Sequence, residues 1–106
     1  MIKKINFSIF IFFIFVFIYS NKLITGTVID CKTNLPIPGA EIIVTKNTHN
    51  EQSTVSNFDG YFEIEVSDKI GEIFVRYPKY KELKVIIDNN NNLGEITLYK
   101  RGCKNK

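Results

Sequence analysis

Few residues in this chain have types and spacings that could carry out chemistry. His49 is the sole histidine and stands between Thr48 and Asn50 in a polar stretch. A zinc peptidase centre needs several histidine and carboxylate ligands at helix or strand spacing, which one histidine cannot supply. Ser53, His49 and Asp59 make a formal Ser/His/Asp set, but no nucleophile elbow or oxyanion-forming turn accompanies it. His49 therefore reads as a solvated loop residue. Glu63 and Glu65 are two apart, so on a strand both carboxylates share one wet face at roughly 7 Å. Nothing beside them would desolvate one carboxyl and raise its pKa, and the pair reads as a solvated strand face. A calcium loop fails too: aligning Asn57, Asp59 and Gly60 to its third, fifth and sixth positions puts Val55 first and Val66 twelfth. No catalytic, cofactor-binding or metal-binding residue is assigned, and the expectation is a chain that is not an enzyme and holds no cofactor.

Two cysteines, Cys31 and Cys103, remain to be placed. Their number and spacing exclude a CxxC redox centre and a zinc site. In an oxidising compartment the pair permits one disulfide that would tie the two chain ends together, worth on the order of 4 kcal/mol on chain-entropy grounds. The other reading is two free thiols, with Cys103 in a polar tail over residues 101–106. Both stay open.

The compartment is argued from the other end of the chain. Six of the nine phenylalanines (Phe7, Phe10, Phe12, Phe13, Phe15 and Phe17) fall in the first twenty residues. Lys3 and Lys4 precede an unbroken apolar run over residues 9–19, the pattern of an export signal helix over residues 1–22. The uncharged stretch, residues 5–21, is also just long enough for a membrane anchor. A cleaved signal and an uncleaved inner-membrane anchor are thus the two readings. Either one puts the folded part outside the cytoplasm, in the periplasm, at the outer-membrane surface or secreted. The net charge of +3 falls to +1 once Lys3 and Lys4 are assigned to the leader. No basic stripe is left for nucleic acid, and membrane contact is expected only through the N-terminal segment. Lys79, Lys81 and Lys84 cluster near a predicted strand edge, where lysines blunt edge-to-edge pairing.

Beyond Lys22 the apolar residues recur with the period of strands. Ile24, Gly26 and Val28 alternate with Thr25, Thr27 and Ile29, and Pro36-Ile37-Pro38-Gly39 must be a connection. Further strands are predicted through Ile42 and Val44, over residues 52–56, through Phe62, Ile64 and Val66, through Ile73 and Val75, through Leu83, Val85 and Ile87, and through Ile96 and Leu98. Asn57-Phe58-Asp59-Gly60 and the asparagine run before Leu93 mark turns. About seven short strands at roughly 8–12-residue spacing predict an all-β fold, a small antiparallel two-sheet sandwich over residues 23–100. Phe58 tops a turn, Tyr61 shares a wet face with Glu63 and Glu65, and Tyr80 lies in a later turn. These three aromatics are the candidate contact surface.

The same residues resemble the carboxypeptidase regulatory-like domain, a transthyretin-like, Ig-like β-sandwich. Its I-x-G-x-V-x-D strand is matched by Ile24, Gly26, Val28 and Asp30, and its proline-glycine turn by Pro36-Ile37-Pro38-Gly39-Ala40. Its T-D-x-x-G-x-F corner resembles Ser56-Asn57-Phe58-Asp59-Gly60-Tyr61-Phe62. A later aromatic corner is similar to Tyr77-Pro78-Lys79-Tyr80, with Lys79 where the family usually has glycine. The resemblance implies an accessory rather than a catalytic module, as found beside metallocarboxypeptidase domains and at the N-terminus of TonB-dependent receptors. It leads to the expectation of such a module exported alone, binding or scaffolding an envelope or outer-membrane protein. The alternative is a carbohydrate- or peptide-binding accessory domain of a nutrient-uptake system.

Overall fold

The computed structural model describes residues 20–103. The export signal or anchor expected over residues 1–22 lies outside them except for its last three residues, as do residues 104–106 of the tail. Every regular element among the described residues is a strand: β1 (Asn21–Asp30), β2 (Glu41–Val44), β3 (Gln52–Val55), β4 (Tyr61–Ser67), β5 (Glu72–Arg76), β6 (Leu83–Ile86) and β7 (Asn92–Leu98). β1 begins at Asn21, so Asn21 and Lys22 already pair with Ser67 and Val66 of β4.

Two sheets form the sandwich, one of three strands in the order β4-β1-β7 and one of four in the order β3-β2-β5-β6. One ladder departs from the antiparallel expectation. β7 runs parallel to β1, with an irregularity between Thr25 and Thr27. The reason is connectivity. The chain crosses to the second sheet for β2 and β3, returns for β4, and crosses again for β5 and β6. A strand that comes back after such a crossover can lie parallel to the first, as no tight hairpin could.

β4 is a half-wet strand, with Phe62, Ile64 and Val66 buried and Tyr61, Glu63 and Glu65 exposed in strict alternation. Its inward face meets Ile24, Val28, Ile42, Val44, Ile73, Val75, Ile96 and Leu98 in one continuous core. Burial of this set against water is the main driving force for closing the two sheets. Phe62 is the largest fully buried side chain, and it stands directly across the ladder from Gly26. A Cβ on Gly26 would lie 2.9 Å from the Phe62 ring and 3.1 Å from Ile96 Cδ1. The glycine in β1 thus makes room for the aromatic ring, a cross-strand pairing that covers the bare backbone.

Candidate functional site

The most connected polar group is Asp30, the last residue of β1, which is only 5% exposed. Its Oδ2 accepts the N–H of Lys32 at 2.9 Å, the N–H of Thr33 at 2.8 Å and the Thr33 hydroxyl at 3.0 Å. Its Oδ1 accepts the Tyr80 hydroxyl at 2.5 Å and lies 3.3 Å from Lys100 Nζ. A buried carboxylate is tolerable when its lone pairs are filled in this way. The Tyr80 hydroxyl, followed by the Thr33 N–H, holds the Asp30 carboxyl well below the usual carboxylate range, against the opposing effect of burial. Asp30 raises the pKa of Tyr80 and of Lys100 by the same contacts. All three shifts lead away from neutrality, whereas a proton-transfer group needs a pKa near the working pH. The cluster is a clamp between the β1–β2 connection, the β5–β6 connection and the residues after β7.

Cys31 follows Asp30 and forms a disulfide with Cys103, 72 residues away, at a Cα–Cα distance of 6.0 Å. Backbone bonds reinforce the same end: Cys31 N–H donates to Leu98 O at 3.2 Å, Lys81 N–H donates to Tyr99 O at 2.8 Å, and Tyr80 bridges to Lys100. Tyr80 is half-buried, with its ring edge-on to Tyr77 at 5.9 Å. It departs from its expected place on an exposed contact surface because its hydroxyl is needed on Asp30. Lys79, at the position where the resembling family has glycine, adopts a left-handed φ of 76°. The corner keeps its shape, and the lysine bears the steric cost.

A second polar cluster joins the sheets on the other side of β1. Ser56 is 4% exposed, and its hydroxyl donates to Ile37 O at 2.6 Å while accepting Ala40 N–H at 2.9 Å. Asn57 Oδ1 accepts the N–H groups of Asp59 at 2.9 Å and Tyr61 at 3.0 Å, closing the turn from within. Gly60 has a φ of +75°, and a Cβ there would lie 2.5 Å from Val28 O and 2.9 Å from Pro36 Cβ. Its own carbonyl accepts the Val28 N–H at 2.8 Å. Only glycine satisfies both the conformation and the close approach.

On this rigid corner Phe58 is 91% exposed and Tyr61 38% exposed. Val55, beside Ser56, and Leu35, beside the Pro36 that packs on Gly60, are also exposed. The corner thus presents apolar side chains to solvent on a backbone pinned by the hydrogen bonds of Ser56, Asn57 and Gly60.

The residues considered for catalysis are dispersed. His49 is exposed in the β2–β3 connection, Ser53 is exposed on β3 and Asp59 is exposed on the turn, and no hydrogen bond among the described residues links them. Glu63 and Glu65 face solvent from β4. Among the described residues no three His, Cys, Asp or Glu side chains are grouped so as to hold a metal ion. The Asp30 clamp was not legible as a site beforehand. Its local signals are an acidic residue that ends β1 next to a cysteine and the place of Asp30 in the I-x-G-x-V-x-D pattern.

The sequence model of one family, described as the CarboxypepD_reg-like domain, matches residues 24–102, well over half of the chain. No curated protein matches the sequence.

Proposed function

The chain belongs to the carboxypeptidase regulatory-like domain family, and we propose that it acts as an exported, protein-binding module at the cell envelope. The family's domain is a non-catalytic β-sandwich, and the fold described above is of that kind. The observation that carries the reading is Phe58. A phenylalanine 91% exposed, on a turn fixed by Asn57 and Gly60, is costly to solvate and already ordered, so a partner covering it gains apolar burial at little entropic cost. Export is supported by the basic-then-apolar pattern of residues 3–19 and by a disulfide that suits an oxidising compartment.

The test is a photo-crosslinking phenylalanine analogue placed at position 58 in living cells. A discrete adduct with an envelope protein is expected from position 58 and not from position 63, on the outer face of β4. No adduct, or the same adducts from both positions, would sink the proposal. Loss of sugar binding in Phe58→Ala and Tyr61→Ala variants that still fold would instead favour a glycan-binding accessory domain. Intact masses from separated envelope and medium fractions distinguish a cleaved leader from an anchor retained over residues 5–21.

A further inference from the structure

We propose that the seam between β6 and β7 docks an extended, acidic segment of a partner protein, added as a strand along β6. The proposal rests on the reading of the domain as a binding module and names the surface and the chemistry of its occupant.

β6 and β7 are the outermost strands of their respective sheets, so each has a side with no neighbouring strand. The two edges are joined near Tyr80, Lys81, Tyr99 and Lys100 and then diverge around a groove of about 410 Å³. Leu83, Val85 and Leu93 are half-buried along it, and Ile86 is 60% exposed. The alternation of half-buried and exposed residues in β6 suits an added strand, which would cover the apolar residues and satisfy the free backbone groups.

The joined end of the seam opens into a hollow of about 490 Å³ lined by Lys79, Lys81, Tyr99, Lys100, Arg101 and Cys103. Lys100 is paired with Asp30, but Lys79, Lys81 and Arg101 have no ion pair among the described residues. Nearby Glu82 is already engaged by Lys46 and Arg76. Glu95, the carboxylate lining the seam, is four residues before Tyr99, roughly 13 Å along the strand. Lys84 adds a further positive charge on β6 itself. Lysines on an edge discourage pairing with a second copy of the same edge, yet they favour an acidic strand. An anionic lipid surface would use the cations but neither the strand edge nor the apolar groove, so an acidic peptide is the better fit.

The experiment uses protein produced from the full sequence and two synthetic peptides of alternating valine and threonine, one ending in three glutamates and the other in three glutamines. The glutamate peptide is expected to bind roughly tenfold tighter or better, to weaken as salt is raised, and to shift amide resonances along β6. The triple variant Lys79→Glu, Lys81→Glu, Arg101→Glu should lose that preference while keeping its unfolding midpoint. Phe58→Ala should leave peptide affinity unchanged, so failure at the seam is read separately from failure of the Phe58 contact. Equal affinity for both peptides, no binding at millimolar concentration, or shifts away from β6 would overturn the proposal. So would tighter binding to phosphatidylglycerol vesicles than to the glutamate peptide.

Discussion

Along the β3–β4 side the two sheets are joined through residues 56–60, by a buried, hydrogen-bonded serine, an asparagine-capped turn and a glycine packed on Val28 and Pro36. Along the β6–β7 side they meet at the Tyr80–Lys100 bridge, the Lys81–Tyr99 hydrogen bond and the Tyr80 hydroxyl on Asp30, while the nearby disulfide ties the end of β1 to the residues after β7 of the same sheet. The first closure is a local backbone solution in which Ser56, Asn57 and Gly60 each have one geometric duty. The second relies on groups brought from three distant parts of the chain, and beyond it the strand edges remain open. Letters of the family motif fall on both closures, on Gly60 and Phe62 at the first and on Asp30 and Tyr80 at the second, and each of these residues makes a contact that its closure needs. The free edges of β6 and β7 have no such duty, and there, as at the exposed Phe58, a contact with a partner can be encoded.

The largest expected effect comes from removing the disulfide that braces the second closure. Replacing Cys31 and Cys103 together by serine should cost about 4 kcal/mol on chain-entropy grounds, read as a lower urea midpoint. Hydrogen exchange should accelerate at the Lys81 amide while the Gly60 amide, whose bond to Asn57 O lies in the tight corner, stays protected. Equal acceleration at both amides would mean that the two sides open as one unit.

Gly60→Ala attacks the other closure. The added methyl meets Val28 O and the left-handed backbone is strained, so a loss of about 3 kcal/mol is expected by chemical denaturation. A loss below about 1 kcal/mol would show that the corner relaxes easily and is not the rigid side.

A pH profile tests the clamp at Asp30. Its folded-state pKa lies below the ordinary value of 3.8, so the unfolded chain takes up the proton first. The stabilisation is therefore fully present above that value and is lost as pH falls below it through the folded pKa. Asp30→Asn should lower the melting temperature at neutral pH and flatten the fall in stability below about pH 4. An unchanged acid limb would assign the acid sensitivity to other carboxylates.

The smallest effect is a gain. Lys79→Gly relieves a left-handed lysine at the cost of a freer unfolded chain, for a net stabilisation of about 0.5–1 kcal/mol. The same change removes one cation of the hollow beside β7, so stability and affinity for the acidic peptide should move in opposite directions. Movement of both in the same direction would separate Lys79 from the docking surface.

Much of the fold could be read beforehand because it is periodic. The alternation of Phe62, Ile64 and Val66 with polar neighbours is a local signal, and the structure returns it residue for residue. Pro36 and Pro38 likewise announce a connection wherever they occur. The candidate site was less legible. Asp30 looked like one more alternating residue of β1, and Tyr80 looked like a surface aromatic, because their hydrogen bond spans 50 residues of sequence. The parallel pairing of β1 with β7 was hidden for a related reason, since periodicity marks a strand without stating the direction of its neighbour.

Residue order alone therefore accounts for the number of strands, the positions of the turns and the face of β4 that is buried. Those follow from short-range sterics and from which side chains leave water. The clamp at Asp30, the glycine-like backbone of Lys79 and the cations beside β7 that have no ion pair among the described residues arise only when the sheets close. A buried carboxylate must collect donors from wherever the fold brings them, and a surface cation lacks a partner only once every carboxylate has found its place.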